Sequence, residues 1–182
     1  MTTKDGSTHN ITVGTLAHRI VSSTLRAGWP EARHERNQLI LRTGRSEMAA
    51  HPVTYRPREA LLDSVTAAGV YLWRFLPESD WAPILIDEAL NGGGRPDVVF
   101  DHAEHGVLID ELKLGVGRFG ESMVRAQIDR YLDEGTARFG ERLIGVRLCS
   151  VHEPARSRIY LPGRTRSMLA SDHPLCRELA PR

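Results

Sequence analysis

The stretch RPDVVFDHAEHGVLIDELKL, residues 95–114, decides the fold. Two apolar runs, Val98-Val99-Phe100 and Val107-Leu108-Ile109, flank the polar segment His102–Gly106, a pattern of strand, turn and strand. The first strand is predicted over Arg95–Asp101 and the second over Val107–Leu114. Side chains alternate faces along a strand. Val107, Ile109, Glu111 and Lys113 therefore share one face, and Leu108, Asp110, Leu112 and Leu114 the other. Glu111 and Lys113 project side by side from the end of a largely apolar strand. Asp97 follows Pro96 on the neighbouring strand, and a short turn brings it beside Glu111.

Working outward, Ile84–Leu90 reads as a further strand and Asn91-Gly92-Gly93-Gly94 as its turn, which completes an antiparallel meander. Upstream, Pro57 occupies the position that favours the first residue of a helix. Leu61, Val65, Ala68 and Leu72 line one face of that helix down to Phe75, and Pro77 closes it. Residues 12–27 carry Val13, Leu16 and Ile20 at helical spacing, with Thr12 as N-cap. A second charged helix is predicted from Glu31 to Leu41, stopped at Gly44. Downstream, a loop punctuated by Gly115, Gly117 and Gly120 leads to a helix at about 121–134, ended by Gly135. Leu143–Cys149 and the short Arg158–Leu161 read as strands. This order predicts an α/β fold, a mixed central sheet flanked by helices. Residues 1–182 read as one domain, with 1–56 a helical N-terminal extension and about 57–161 the core.

Composition narrows the function classes. Apolar residues make up 41% of the chain and the net charge is +1, so a core is expected and any electrostatic footprint must be local. No apolar run approaches a membrane span, the N-terminus lacks a secretory pattern, and two cysteines suggest no disulfide framework. These features predict a cytoplasmic protein with no membrane partner. Of the 24 basic residues only Lys4 and Lys113 are lysines.

That scarcity makes Lys113 conspicuous. Two carboxylates converging at a strand end, Asp97 and Glu111, form a hard-oxygen site suited to Mg²⁺ or Mn²⁺. A metal there neutralises charge building on a phosphate. A lysine adds a compact ammonium that contacts the phosphate or orients the attacking water, work for which arginine is not equivalent.

Pro96-Asp97 followed by Glu111-Leu112-Lys113 resembles the signature of the PD-(D/E)XK nuclease superfamily, with its restriction-endonuclease-like core. The resemblance implies a metal held by Asp97, Glu111 and the Leu112 carbonyl, and a nuclease acting on nucleic acid, DNA above RNA. Gln127 and Tyr131, four apart on one helix face, and the approach Gly94-Arg95-Pro96-Asp97 are similar to the RecB-type exonuclease branch, in which such a pair helps to organise the site. Family members often carry an additional acid on the preceding helix. Glu59 is the candidate, with Asp63 and Glu88 as rivals. The chain is short for that branch, so a homodimer or a partner protein is expected to complete the substrate groove.

Plainer readings exist. Glu111 and Lys113 can be an ordinary surface ion pair, and Gln127 and Tyr131 can simply pack a helix on the sheet. The fold can also serve as a non-cleaving nucleic-acid-binding module. Cys149, His152, His173 and Cys176 have the donor types of a zinc site, which would make a zinc-stabilised interaction protein. Against zinc, Cys149 ends an apolar strand like a core residue. The arginines at 33, 36, 42, 45, 56 and 58 suit phosphate contacts or a solvated face. His102 and His105 read as turn residues without chemistry.

Overall fold

The protein is described by a computed structural model that covers residues 12–51, 53, 56–77, 80–114 and 121–169. It divides into two compact units, Met1–Gly69 and Val70–Arg182.

The N-terminal unit is helical: α1 (Val13–Arg26), α2 (Arg33–Ala50) and most of α3 (Pro57–Arg74). Thr12 caps α1 as expected, its hydroxyl accepting from the Thr15 N–H at 3.1 Å. Leu16, Ala17, Ile20, Val21 and Leu25 form the buried stripe of α1. Ser23 ties it to α2 through Glu47 at 2.6 Å. Arg36 of α2 donates to the Pro30 carbonyl and lies over the Trp29 ring.

Among the described residues, the second unit forms a six-stranded sheet in the order β1 (Ala82–Ile86), β2 (Val98–His102), β3 (Gly106–Lys113), β4 (Leu143–Ser150), β5 (Arg158–Tyr160), β6 (Met168–Leu169). Only β3 and β4 run parallel, and α4 (Glu121–Phe139) lies between them in the chain. The predicted mixed sheet flanked by helices is what forms. On one face, Val124, Ile128, Tyr131 and Leu132 of α4 pack on Val99, Ile109, Val146 and Leu148. Each large apolar side chain buried this way contributes about 1.5–3 kcal/mol.

Several element ends differ from the sequence reading, each for a local reason. The strand expected at Ile84–Leu90 stops at Ile86, because Asp87 turns into the left-handed region (φ +52°), although its N–H still bonds the Asp97 carbonyl across the register. Leu90 is buried as a loop residue, which is why it looked like part of a strand. The next strand begins at Val98 rather than Arg95, since Pro96 has no N–H to give the ladder. β6 was not foreseen. The helices predicted to end at Gly44 and Gly135 run past them to Ala50 and Phe139. Each glycine sits where a neighbour presses close: a Cβ would lie 2.6 Å from Val65 at position 44 and 2.9 Å from Ile109 at position 135.

The sheet face opposite α4 holds a polar network that the sequence reading missed. Arg147 on β4 grips Asp110 on β3 with two hydrogen bonds, Nε to Oδ1 at 2.9 Å and Nη2 to Oδ2 at 2.7 Å. Its Nη2 also donates to the Phe75 carbonyl, and the Tyr71 hydroxyl donates to Asp110 Oδ2 at 2.9 Å. Both charged side chains are 0% exposed. Burial opposes the Arg147 charge, but Asp110 more than offsets it, and the guanidinium pKa lies above its ordinary value.

Burial, reinforced by Asp110, pushes the Tyr71 phenol well above its ordinary value of 10.0, and burial likewise raises the Cys149 thiol above 9.0. The folded protein thus holds these protons more tightly than the unfolded chain does. Their contribution to stability is complete below pH 9.0 and is lost as pH rises, first through Cys149 and then, above 10.0, through Tyr71. Urea denaturation at a series of alkaline pH values should show that decline, and Tyr71→Phe should flatten its upper part. A flat profile in both proteins would contradict the sealed placement of these groups.

Candidate active site

Asp97 is positioned by a loop that bonds itself at several points. The Leu90 N–H donates to the Gly94 carbonyl at 2.6 Å, and the Arg95 guanidinium reaches back to Asp87 at 3.0 Å. Helix α4 supplies the anchor: Glu134 accepts from the Gly94 N–H at 2.9 Å. A Cβ at position 94 would stand 2.6 Å from Glu134 Oε2 and 3.1 Å from the Tyr131 ring. Glycine there lets the Glu134 carboxylate and the Tyr131 ring come this close to the backbone. Glu134 was missed in the sequence, yet Gln127, Tyr131 and Glu134 follow one helical stripe at i, i+4 and i+7, a signal that was available.

The β2–β3 register pairs Val98 with Asp110, so Asp97 falls opposite Glu111 one step on. Asp97 Oδ2 accepts the Leu112 N–H at 2.6 Å. In that register Pro96 would face Leu112 and, having no N–H, cannot give the Leu112 carbonyl a ladder hydrogen bond. The proline thus bears directly on the backbone oxygen expected to be a metal ligand.

Glu111 is 3% exposed. Its Oε1 accepts from Lys113 Nζ at 2.5 Å and from Gln127 Nε2 at 2.8 Å. Gln127 Nε2 also reaches the Tyr131 hydroxyl at 2.8 Å, and that hydroxyl donates to the Arg95 carbonyl at 2.8 Å. A chain of hydrogen bonds therefore runs from Lys113 through Glu111, Gln127 and Tyr131 to the residue before Pro96. Burial, with Glu111 and then Asp97 adding negative charge, raises the Tyr131 pKa, so this hydroxyl keeps its proton and serves as a donor, not a base.

The structure brings Asp97, Glu111, Lys113, Gln127 and Tyr131 together. Asp110 lies on the other face, as strand alternation requires. Glu59, the candidate additional acid, is exposed on the first turn of α3, in the N-terminal unit; Asp63 and Glu88 are exposed too. Among the described residues no group of three or more His, Cys, Asp and Glu side chains is placed to hold a metal. The donors available here are two carboxylates and a peptide carbonyl, a set that fits an ion such as Mg²⁺, which keeps several waters. Of the proposed zinc ligands, Cys149 is sealed with a raised thiol pKa while His152 is exposed. His173 and Cys176 lie outside the described residues. His102 shapes the hairpin, its Nδ1 accepting from the Glu104 and His105 N–H groups. Among the described residues no helix is long and apolar enough to cross a membrane.

Comparisons with protein-family models, curated proteins and solved structures each find no match.

Proposed function

We propose that this chain is a divalent-metal-dependent nuclease of the PD-(D/E)XK type, hydrolysing phosphodiester bonds in nucleic acid, with DNA favoured. The observation that carries the reading is the convergence of Lys113 and Gln127 on one oxygen of Glu111, across the register from Asp97. A surface ion pair has no need of that burial or of a glutamine from another element.

Asp97, Glu111 and the Leu112 carbonyl would hold Mg²⁺ or Mn²⁺. When bound, the ion supplies Lewis-acid stabilisation of the phosphoryl charge and a more acidic water. The chain does the rest. Lys113 places an ammonium against the phosphate or the attacking water. Gln127 fixes the Glu111 carboxylate, and Tyr131 couples Gln127 to the loop carrying Asp97.

The test is cleavage of single-stranded DNA, duplex DNA and RNA, with Mg²⁺ or Mn²⁺ and after chelation. Cleavage should need the metal, vanish with a chelator and return on re-addition. Full activity after exhaustive chelation would sink the mechanism. Binding without cleavage under every metal condition would make the chain a non-cleaving module.

A further inference from the structure

Beyond the carboxylates, the same sheet unit contains a cavity of about 520 Å³ lined by Arg125, Arg156, Arg158, Arg166, Tyr160 and Thr165. Its floor is apolar, from Val124 and Leu148. Arg125 lies over the Tyr160 ring at 5.3 Å and pairs with Asp129 at 2.9 Å. Arg156 pairs with Glu153 at 2.7 Å, and Arg158 donates to the Ser157 carbonyl. Among the described residues, four guanidinium groups are thus set against two carboxylates. The balance is positive at this wall of a chain whose net charge is only +1.

The register fixes where this wall lies. Glu111 pairs with Leu148, and Leu148 with Arg158. Residues opposite one another in a sheet share a face. Arg158 therefore stands on the same face as Glu111, two strands away, which is about 10 Å at the usual spacing. An extended nucleic-acid strand covers that distance in one or two nucleotides. Guanidinium forks match phosphate oxygens, and contacts of this kind set the register of a strand without reading its sequence.

We propose that this arginine-lined cavity binds a second phosphate of the nucleic-acid strand whose scissile phosphodiester sits at Glu111 and Lys113. The proposal rests on the nuclease reading for the identity of the strand, and its test separates the two.

The experiment measures binding of a fluorescent single-stranded oligonucleotide by anisotropy across a salt series, with metal chelated, for the wild type, Arg158→Ala/Arg166→Ala and Arg166→Glu. Arg166 is exposed on a loop, so its charge reversal spares the fold even if the double variant does not fold. Affinity should fall roughly ten- to a hundredfold, and the salt slope should drop by about 0.7 for each phosphate that is no longer neutralised. With metal present, the variants should lose kcat/KM on the oligonucleotide but hydrolyse bis(p-nitrophenyl) phosphate, which has no second phosphate, at the wild-type rate. Repeating the series with 5′-phosphate and 5′-hydroxyl oligonucleotides separates an internal phosphate from a strand end. Wild-type affinity and salt slope in folded variants would overturn the proposal, and wild-type oligonucleotide cleavage by them would do so while leaving the nuclease reading intact. Arginine-dependent binding by a wild-type protein that cleaves nothing would instead sink the nuclease reading and keep the cavity as a phosphate site.

Discussion

Lys113→Ala should lower turnover about 10²–10³-fold, the usual cost of one well-placed electrostatic donor, while oligonucleotide affinity changes far less. The ammonium acts mainly on charge that develops in the transition state, so rate should fall more than binding. Lys113 has 14% side-chain exposure and lies 2.5 Å from a Glu111 oxygen, leaving little room for a wider group. Lys113→Arg should therefore rescue poorly, because a planar guanidinium cannot occupy the place of a compact ammonium. This chain uses arginine at nearly every other basic position, so a charge with a purely structural role should tolerate the change. Thermal melts must accompany the kinetics, since either variant disturbs a mostly buried ion pair. Near-wild-type cleavage by Lys113→Arg would reduce the lysine to a generic positive charge. The same result for a folded Lys113→Ala would remove it from the active site.

The sequence made the sheet and the pairing of its first strands legible because two apolar runs, Val98–Phe100 and Val107–Ile109, flank a short polar turn. It located Glu111 and Lys113 on one face because side chains two apart on a strand point the same way, and Gln127 with Tyr131 from helical spacing. What it could not convey was contact across the sheet. Asp110 looked like a polar interruption in an apolar strand, and nothing local announced that Arg147, 37 residues on, would meet it in the interior. Interior glycines at 44 and 135 were read as stops, since the close neighbours that call for them, Val65 and Ile109, come from distant segments. The arginine wall was equally hidden. Its members come from α4, the turn before β5, β5 itself and the loop after it, and only the fold gathers them.

Asp110 and Glu111, neighbours on one strand, should respond in opposite ways to loss of charge. Asp110→Asn keeps the shape of the side chain but leaves the buried Arg147 facing a neutral amide in place of its carboxylate. Breaking one side of a buried pair costs about 3–5 kcal/mol, which for a chain of this size corresponds to a fall of roughly 6–20 °C in Tm. The site face is untouched, so metal affinity of the folded protein, measured by calorimetry well below the new Tm, should stay near that of the wild type. Glu111→Gln should behave the other way. Lys113 reaches partly to solvent, Gln127 can bond the new amide, and Tm should move less than in Asp110→Asn. One anionic ligand is gone, however, and metal affinity should fall at least tenfold, on the scale of one charge-assisted hydrogen bond. A one-residue slip in the β3 register exchanges the two faces and would exchange these outcomes. Weakened metal binding in Asp110→Asn, together with unchanged binding in Glu111→Gln, would therefore overturn both the register and the site built on it.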